Sequence, residues 1–372
     1  MHRIDLTPLM TIDLILIGFG HVGQRFVELL CSEQQKLQET HSITWRVVGI
    51  ATRHHGLAAD INGLDVKQAL VNTRNNDSLD TLHDASTGTH PKNPEGLIKY
   101  LASQKRQTTH PHNPLVVVET TTLDIQQGEP AIEYVRTAMS VGAHVITTNK
   151  GPAAFAYREL VDYASSVGVS FLTEGAVLDG IPVFNFVRET LPGIKILGFR
   201  GVVNATTNQI LTDMEAGLDG AAALTKMQAA GIAEADASLD VDGWDAAAKT
   251  AALINVLMEG RTTPHAIDRI GIGAVSKDVI QRATHQGHRI KLVASAKRTT
   301  SDQIIGRVAP NELPFDDPLA QLHGMSNAVI LTTDILGDIM IGELSSGLIQ
   351  TAYALLSDLV TLRRRLTTTP ET

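Results

Sequence analysis

From Glu234 to Lys249 the sequence reads EADASLDVDGWDAAAK, with five carboxylates in twelve residues and a lysine four positions after the last. Asp245 and Lys249 are the only charges between Gly243 and Met258, a stretch otherwise rich in alanine and other apolar residues. A helix of that composition is mostly buried, so an i,i+4 Asp–Lys pair on it faces either a buried ion pair or a polar pocket. Burial lowers a lysine's pKa, which would suit Lys249 to proton transfer near neutrality. A calcium loop is a poor alternative. With Gly243 at its invariant sixth position, Ser238 falls first and Lys249 twelfth, where carboxylates are required. Asp242 reads as the N-cap of the helix, with Asp245 as a capping-box-like partner.

A second chemical signal lies near the start. In ILIGFGHVGQRFVELL, Gly18, Gly20 and Gly23 have the G-x-G-x-x-G spacing, and His21 and Val22 between them are expected beside the cofactor. The motif gains weight because it follows an apolar strand and opens a helix, where amide dipoles meet a pyrophosphate. NAD binders usually place an acid at the end of the second strand for the ribose hydroxyls. Here the sequence reads GIATRHHG. Arg53 is available for a 2′-phosphate, so NADP is favoured, with NAD possible. Lys150, in VITTNKGP, follows a strand and precedes a Gly-Pro helix start, and should point into the same crevice. Thr120 and Thr121, closing LVVVE, are expected beside the cofactor for the same topological reason.

The elements that must position these groups follow from periodicity. Strands are expected at Ile12–Ile17, Trp45–Ala51, Leu115–Glu119, Val145–Thr147 and Val169–Leu172. Between them fall helices at Val22–Gln38, Ala131–Val141 and Pro152–Ser165, a parallel βαβ pattern. Val71–Pro94 reads as an irregular polar excursion. From about Glu174 the pattern changes to strands in IKILGFRGVVNAT, HRIKLVASAK, DQIIGRVAP and NAVILTTDIL, with helices near 207–229, 243–258 and 276–285. The expected fold is α/β: a Rossmann dinucleotide-binding domain over 1–173, completed by a C-terminal helix over 338–372. An α/β substrate and dimerisation domain with a mixed sheet spans 174–337.

The 372 residues carry a net charge of −9, which argues against a nucleic-acid partner. No apolar run is long enough to span a membrane, and the N-terminus lacks a signal-peptide core. The single cysteine, Cys31, reads as an apolar filler and fits a cytoplasmic protein. The histidines show no metal-ligand spacing and read as surface groups.

Taken in order, GFGHVG, TTNKGP, EGAVLDGIP, NATTNQILTDM and GIAEADASLDVDGWDAAAK closely resemble homoserine dehydrogenase over nearly the whole chain. The resemblance implies reversible NAD(P)H-dependent reduction of L-aspartate 4-semialdehyde to L-homoserine, in threonine and methionine biosynthesis. It implies that Lys249 exchanges the proton and that Lys150 lies beside the nicotinamide. Glu234 and Asp245 would hold the substrate, with Asp240 and Thr206 nearby, and Gly231 and Gly347 would lie close to the cofactor. It further implies a monovalent cation such as sodium on Glu174 and the main-chain carbonyls of Val177, Asp179 and Ile181, and a homodimer. Two departures stand out: Ile232 replaces a frequent aromatic residue, and GELSSG retains Gly347 but lacks other glycines of the family's loop. Many members carry a C-terminal regulatory domain. The sequence reaches Thr372 soon after its returning helix, so a short form is expected. Two rivals remain: a dehydrogenase of another hydroxy amino acid, and a non-catalytic NADP-binding sensor.

Overall fold

The computed structural model describes residues 8–84, 86, 90–107, 110, 112–230 and 236–368. Six strands form the first sheet: β1 (Met10–Ile17), β2 (Ile43–Ala51), β3 (Leu57–Ala59), β4 (Leu115–Glu119), β5 (His144–Thr147) and β6 (Phe171–Leu172). Their order is β3-β2-β1-β4-β5-β6, all parallel except β3, which runs against β2. β4 is buried at every position, because helices cover both faces of the sheet. This is the doubly wound order, and its direction reverses between β1 and β4, where a ligand crevice is expected.

Helix α1 (His21–Ser32) follows the glycine turn, and α2 (Lys150–Phe155) follows β5. Two expected long helices are each split. The first breaks at Glu33, which ends α1, and a separate helix covers Gln34–His41; the second breaks at Ala156. In both, the joining residue leaves helical geometry, which the apolar spacing did not reveal. The polar excursion is ordered at its start, where residues 71–74 complete a helix, and again in a 3-10 turn at Leu79–Leu82. Val66–Arg74 is a helix, started by the Asp65 carboxylate accepting from Lys67 N and Gln68 N.

The second sheet contains β7 (Ile196–Val202), β8 (Asp268–Arg269), β9 (His288–Arg298), β10 (Ile304–Pro314), β11 (Asn327–Thr333) and β12 (Asp338–Glu343). Their order is β12-β11-β7-β9-β10-β8, antiparallel except for the β10–β8 pair. Helices α3 (Ala205–Glu215) and α4 (Trp244–Leu257) share one large core with this sheet. NAVILTTDIL holds a single strand that ends at Thr333; the chain then turns at Gly337 (φ 69°) and returns as β12. Residues 338–343 therefore belong to the second sheet, and the segment returning to the first begins ten residues later than expected. That segment is α5 (Leu348–Thr368), which buries Ala352, Leu355, Leu359 and Leu362 in the core shared with α1.

Candidate active site

A cleft of about 870 Å³ opens at the carboxyl ends of β1, β2 and β4. Gly18 has φ +94°, and a Cβ there would come within 2.8 Å of the Thr120 backbone. A Cβ on Gly23 would meet Gly18 O at 2.8 Å, so this glycine serves close helix–strand packing. Gly20 is different. Among the described residues its Cβ would meet nothing within 4 Å, and no side chain caps α1, whose N-cap it is. An open cradle at an uncapped helix N-terminus fits a pyrophosphate.

Gly18, Gly20, His21, Arg53, Thr120 and Thr121 all line this cleft. Val22 does not line it but turns into the core beneath α1. Arg53 is exposed at the tip of a turn tied by Thr52, whose hydroxyl accepts from His55 N (2.8 Å) and donates to Gly56 O (3.0 Å). Gly347 immediately precedes α5, and its neighbour Leu348 shares a smaller cleft with His21.

The two lysines meet on one carboxylate. Lys150, the first residue of α2, has Nζ 3.1 Å from Asp245 Oδ1. Lys249, one turn along α4 from Asp245, has Nζ 3.2 Å from Oδ2 and donates to Val203 O at 2.7 Å. Asn204 completes the group. Its amide donates to Asp240 Oδ1 (2.7 Å) and Asp245 Oδ2 (2.9 Å), and its side-chain oxygen accepts from Thr207 N to cap α3. Thr206 is half-buried in the first turn of that helix. Asn204 was missed in the sequence reading; an asparagine between an apolar strand and a helix reads simply as a cap.

The electrostatics correct one expectation. Burial does push the Lys249 ammonium down, but Asp245, Asp179 and Asp240 outweigh it and hold Lys249 above the usual lysine value. Burial raises Asp245 as well, yet Lys150, Lys249 and Asn204 together hold its carboxyl well below the carboxylate range. Asp240 is pushed up, by burial first and then by Asp245. Lys249 is thus a charged acid in the free protein, not a base poised at neutrality.

Asp242 is a second correction. Ser238–Val241 already forms a helical turn, and the residue preceding α4 is Gly243 (φ 80°), with no side-chain cap. The left-handed step places Asp245 in the first turn of α4, facing the lysines. Gly231 and Glu234 lie outside the described residues.

The Glu174 carboxylate is buried and accepts from Phe184 N and Asn185 N, each at 2.7 Å, at the start of the helix Val183–Thr190. Its own amide donates to Asp358 Oδ2 at 3.0 Å. Burial, then the Asp358 charge, pushes Glu174 up to about 8, and burial pushes Asp358 up to about 6. Asp179 adopts a left-handed φ of 47°, held by the hydroxyls of Ser346 and Thr351. Among the described residues no three His, Cys, Asp or Glu side chains cluster as a metal site.

Hydride transfer to a carbonyl needs a dinucleotide site and a proton source, and the chain has a glycine-turn cleft and a Lys249 ammonium that Asp245 joins to Lys150, just after β5 of the same sheet. That chemistry belongs to the NAD(P)-dependent oxidoreductases acting on CH–OH groups. Comparison with known proteins narrows the class. The homoserine dehydrogenase family model matches residues 182–360, and the model of the homoserine dehydrogenase NAD-binding domain matches residues 18–174. The NAD(+)-dependent homoserine dehydrogenase of Pseudomonas canavaninivorans is 34% identical, the match covering 95% of this chain and 97% of the relative. The homoserine dehydrogenase of Methanocaldococcus jannaschii is 33% identical, over 94% and 97%. The crystal structure of a homoserine dehydrogenase from Thiobacillus denitrificans superposes with a TM-score of 0.79 at 28% identity, covering 98% of this chain and 76% of that one. The chain belongs to the homoserine dehydrogenase family.

Proposed function

We propose that this protein interconverts L-homoserine and L-aspartate 4-semialdehyde, with Lys249 as the proton donor in reduction and Lys150 polarising the substrate oxygen. The observation that carries the proposal is the Asp245 carboxylate, held between the two ammonium groups at 3.1 and 3.2 Å. A dinucleotide held in the cleft by the glycine turn would supply or accept the hydride. Lys249 gives its proton to the aldehyde oxygen as the alcohol forms, and takes it back in the reverse direction. Asp245 keeps Lys249 charged, and Asn204 fixes both Asp245 and Asp240. Glu234, Asp240 and Thr206 are assigned to the substrate, and Gly231 and Gly347 to the cofactor, on the family resemblance. Consumption of NADPH or NADH with aspartate semialdehyde tests the assignment. Turnover only with a different aldehyde would favour another hydroxy amino acid, and tight cofactor binding without any turnover would favour a sensor.

NADP is the proposed preference, supported by Arg53 on the cleft wall at the end of β2. Arg53→Ala should weaken NADP(H) selectively, by the ~1.5–3 kcal/mol of a charge-assisted phosphate bond. Titration of both cofactors into both proteins measures this; equal weakening of NAD(H) would remove Arg53 from phosphate recognition.

A monovalent cation at Glu174, Val177, Asp179 and Ile181 is also proposed. The donors would be one carboxylate and three carbonyls, suited to a hard cation, and a positive charge there would relieve the Glu174–Asp358 repulsion. Without the cation, both raised carboxyls bind protons more tightly in the folded state. The contribution of these two groups to stability is then greatest below the ordinary carboxylate range and declines as pH rises through about 6 to about 8. Sodium should lessen that decline; identical melts at pH 8 in sodium and tetramethylammonium chloride would argue against the site.

The proposed homodimer is supported by exposed Ile335, Leu336 and Met340 on the turn and edge strand formed by β12. Sedimentation at micromolar concentration should give twice the 40.0 kDa chain mass, and a monomer would overturn the proposal.

A further inference from the structure

Glu119, the last residue of β4, is fully buried, and among the described residues no cation pairs with it. All its partners are neutral. Oε1 accepts from Thr121 N at 2.7 Å and from the Thr121 hydroxyl, and Oε2 accepts from the Thr147 hydroxyl at 2.6 Å. Burial still pushes its carboxyl above the usual range despite these bonds. Holding two strand ends together does not require a carboxylate. Glu119 and Thr147 are already paired across β4 and β5, and apolar neighbours there would avoid the desolvation cost.

The network leads to the site. Thr147 Oγ1 also accepts from Asn149 N at 2.9 Å. The Asn149 side chain donates to Thr121 O at 3.0 Å and accepts from Gly151 N at 2.9 Å, capping α2, whose first residue is Lys150. One carboxylate therefore fixes both the Thr120–Thr122 wall of the dinucleotide cleft and the backbone that carries Lys150 toward Asp245. A satisfied buried network of this kind imposes one arrangement where apolar packing would allow several.

We propose that Glu119 is a positioning residue for the reaction, acting through Thr147 and Asn149 to hold Lys150 and the Thr121 wall in register. The proposal rests on the reading of Lys150 as the substrate-polarising group. Steady-state kinetics and thermal melts on Glu119→Ala, Glu119→Gln, Thr147→Val, Lys150→Ala and the Glu119→Ala/Lys150→Ala double variant test it. Glu119→Ala should lower kcat by ~10–100-fold, the scale of an ångström-sized misplacement. Glu119→Gln should recover most of that loss, since glutamine keeps an acceptor for Thr121 and its amide can donate to the Thr147 oxygen. The double variant should be no slower than Lys150→Ala alone, because the two residues act in series.

Additive losses in the double variant would overturn the proposal, as would wild-type kcat in a well-folded Glu119→Ala. If Glu119→Ala does not fold, Thr147→Val, which removes the hydroxyl that joins Oε2 to Asn149 N, carries the test with the same expectation of a reduced kcat. Wild-type turnover by Lys150→Ala would remove the Lys150 reading and this proposal together. A slow Lys150→Ala beside fast Glu119→Ala and Thr147→Val would overturn the positioning role alone.

Discussion

Lys249→Ala is expected to lower kcat and kcat/KM together by ~10²–10⁴, the range for losing a positioned general acid. Cofactor affinity should stay near wild type, because Lys249 lies on α4 of the second domain and does not line the dinucleotide cleft. The pH dependence carries a further sign. Asp245, Asp179 and Asp240 hold the Lys249 ammonium above its ordinary value, so the acid form persists through neutrality. Reduction of the aldehyde should therefore be sustained into the alkaline range. Oxidation of homoserine, which needs the neutral amine, should still be climbing at about pH 10, near the ordinary lysine value. A well-folded Lys249→Ala protein with near-normal turnover would remove Lys249 from the mechanism and leave Lys150 as the candidate acid.

Which parts of this site were legible in the sequence depended on how local the signal was. The glycine turn was readable because the tight turn, the close approach of Thr120 and the packing of α1 all require absent side chains at fixed spacing. Lys150 was readable because open parallel sheets present ligands at strand ends. The Asp245–Lys249 pair was readable as two charges on an apolar helix, but not its partners. Lys150 reaches Asp245 from another domain, and Asn204 reaches it from the end of β7, contacts that span 95 and 41 positions by the numbers of the residues joined. The direction of the Lys249 shift was misread for the same reason. Burial and the i,i+4 Asp245 are visible in the sequence, whereas Asp179 and Asp240 join Asp245 around the ammonium only in the folded chain, and together they outweigh burial. Asp242 failed as a cap because Gly243 could adopt a positive φ, which moved the helix start past it.

Asp245 should show the other large effect, and its two simplest substitutions separate charge from shape. Asp245→Asn keeps the volume and a hydrogen-bonding oxygen but removes the charge that both lysines face; Asp245→Ala removes everything. Both should raise the KM for homoserine and lower kcat/KM by ~10²-fold or more, as orientation and the Lys249 proton are lost together. The more telling consequence is electrostatic. Asp245 is the largest influence raising Lys249, so without it burial lowers the ammonium, opposed among the described residues by Asp179, Asp240 and Glu343. The alkaline rise in homoserine oxidation should then move to lower pH in Asp245→Asn, by roughly one unit for each ~1.4 kcal/mol of interaction lost. A buried structural ion pair predicts something else: loss of ~3–5 kcal/mol of stability when one partner is removed, with an unshifted profile in whatever protein remains folded. The lysines retain 24% and 12% side-chain exposure, enough for water to lessen that stability loss. Melts and pH–rate profiles on the same preparations decide between the two. A scaled Asp245→Asn profile that superimposes on wild type would show that Asp245 anchors substrate without setting the proton on Lys249.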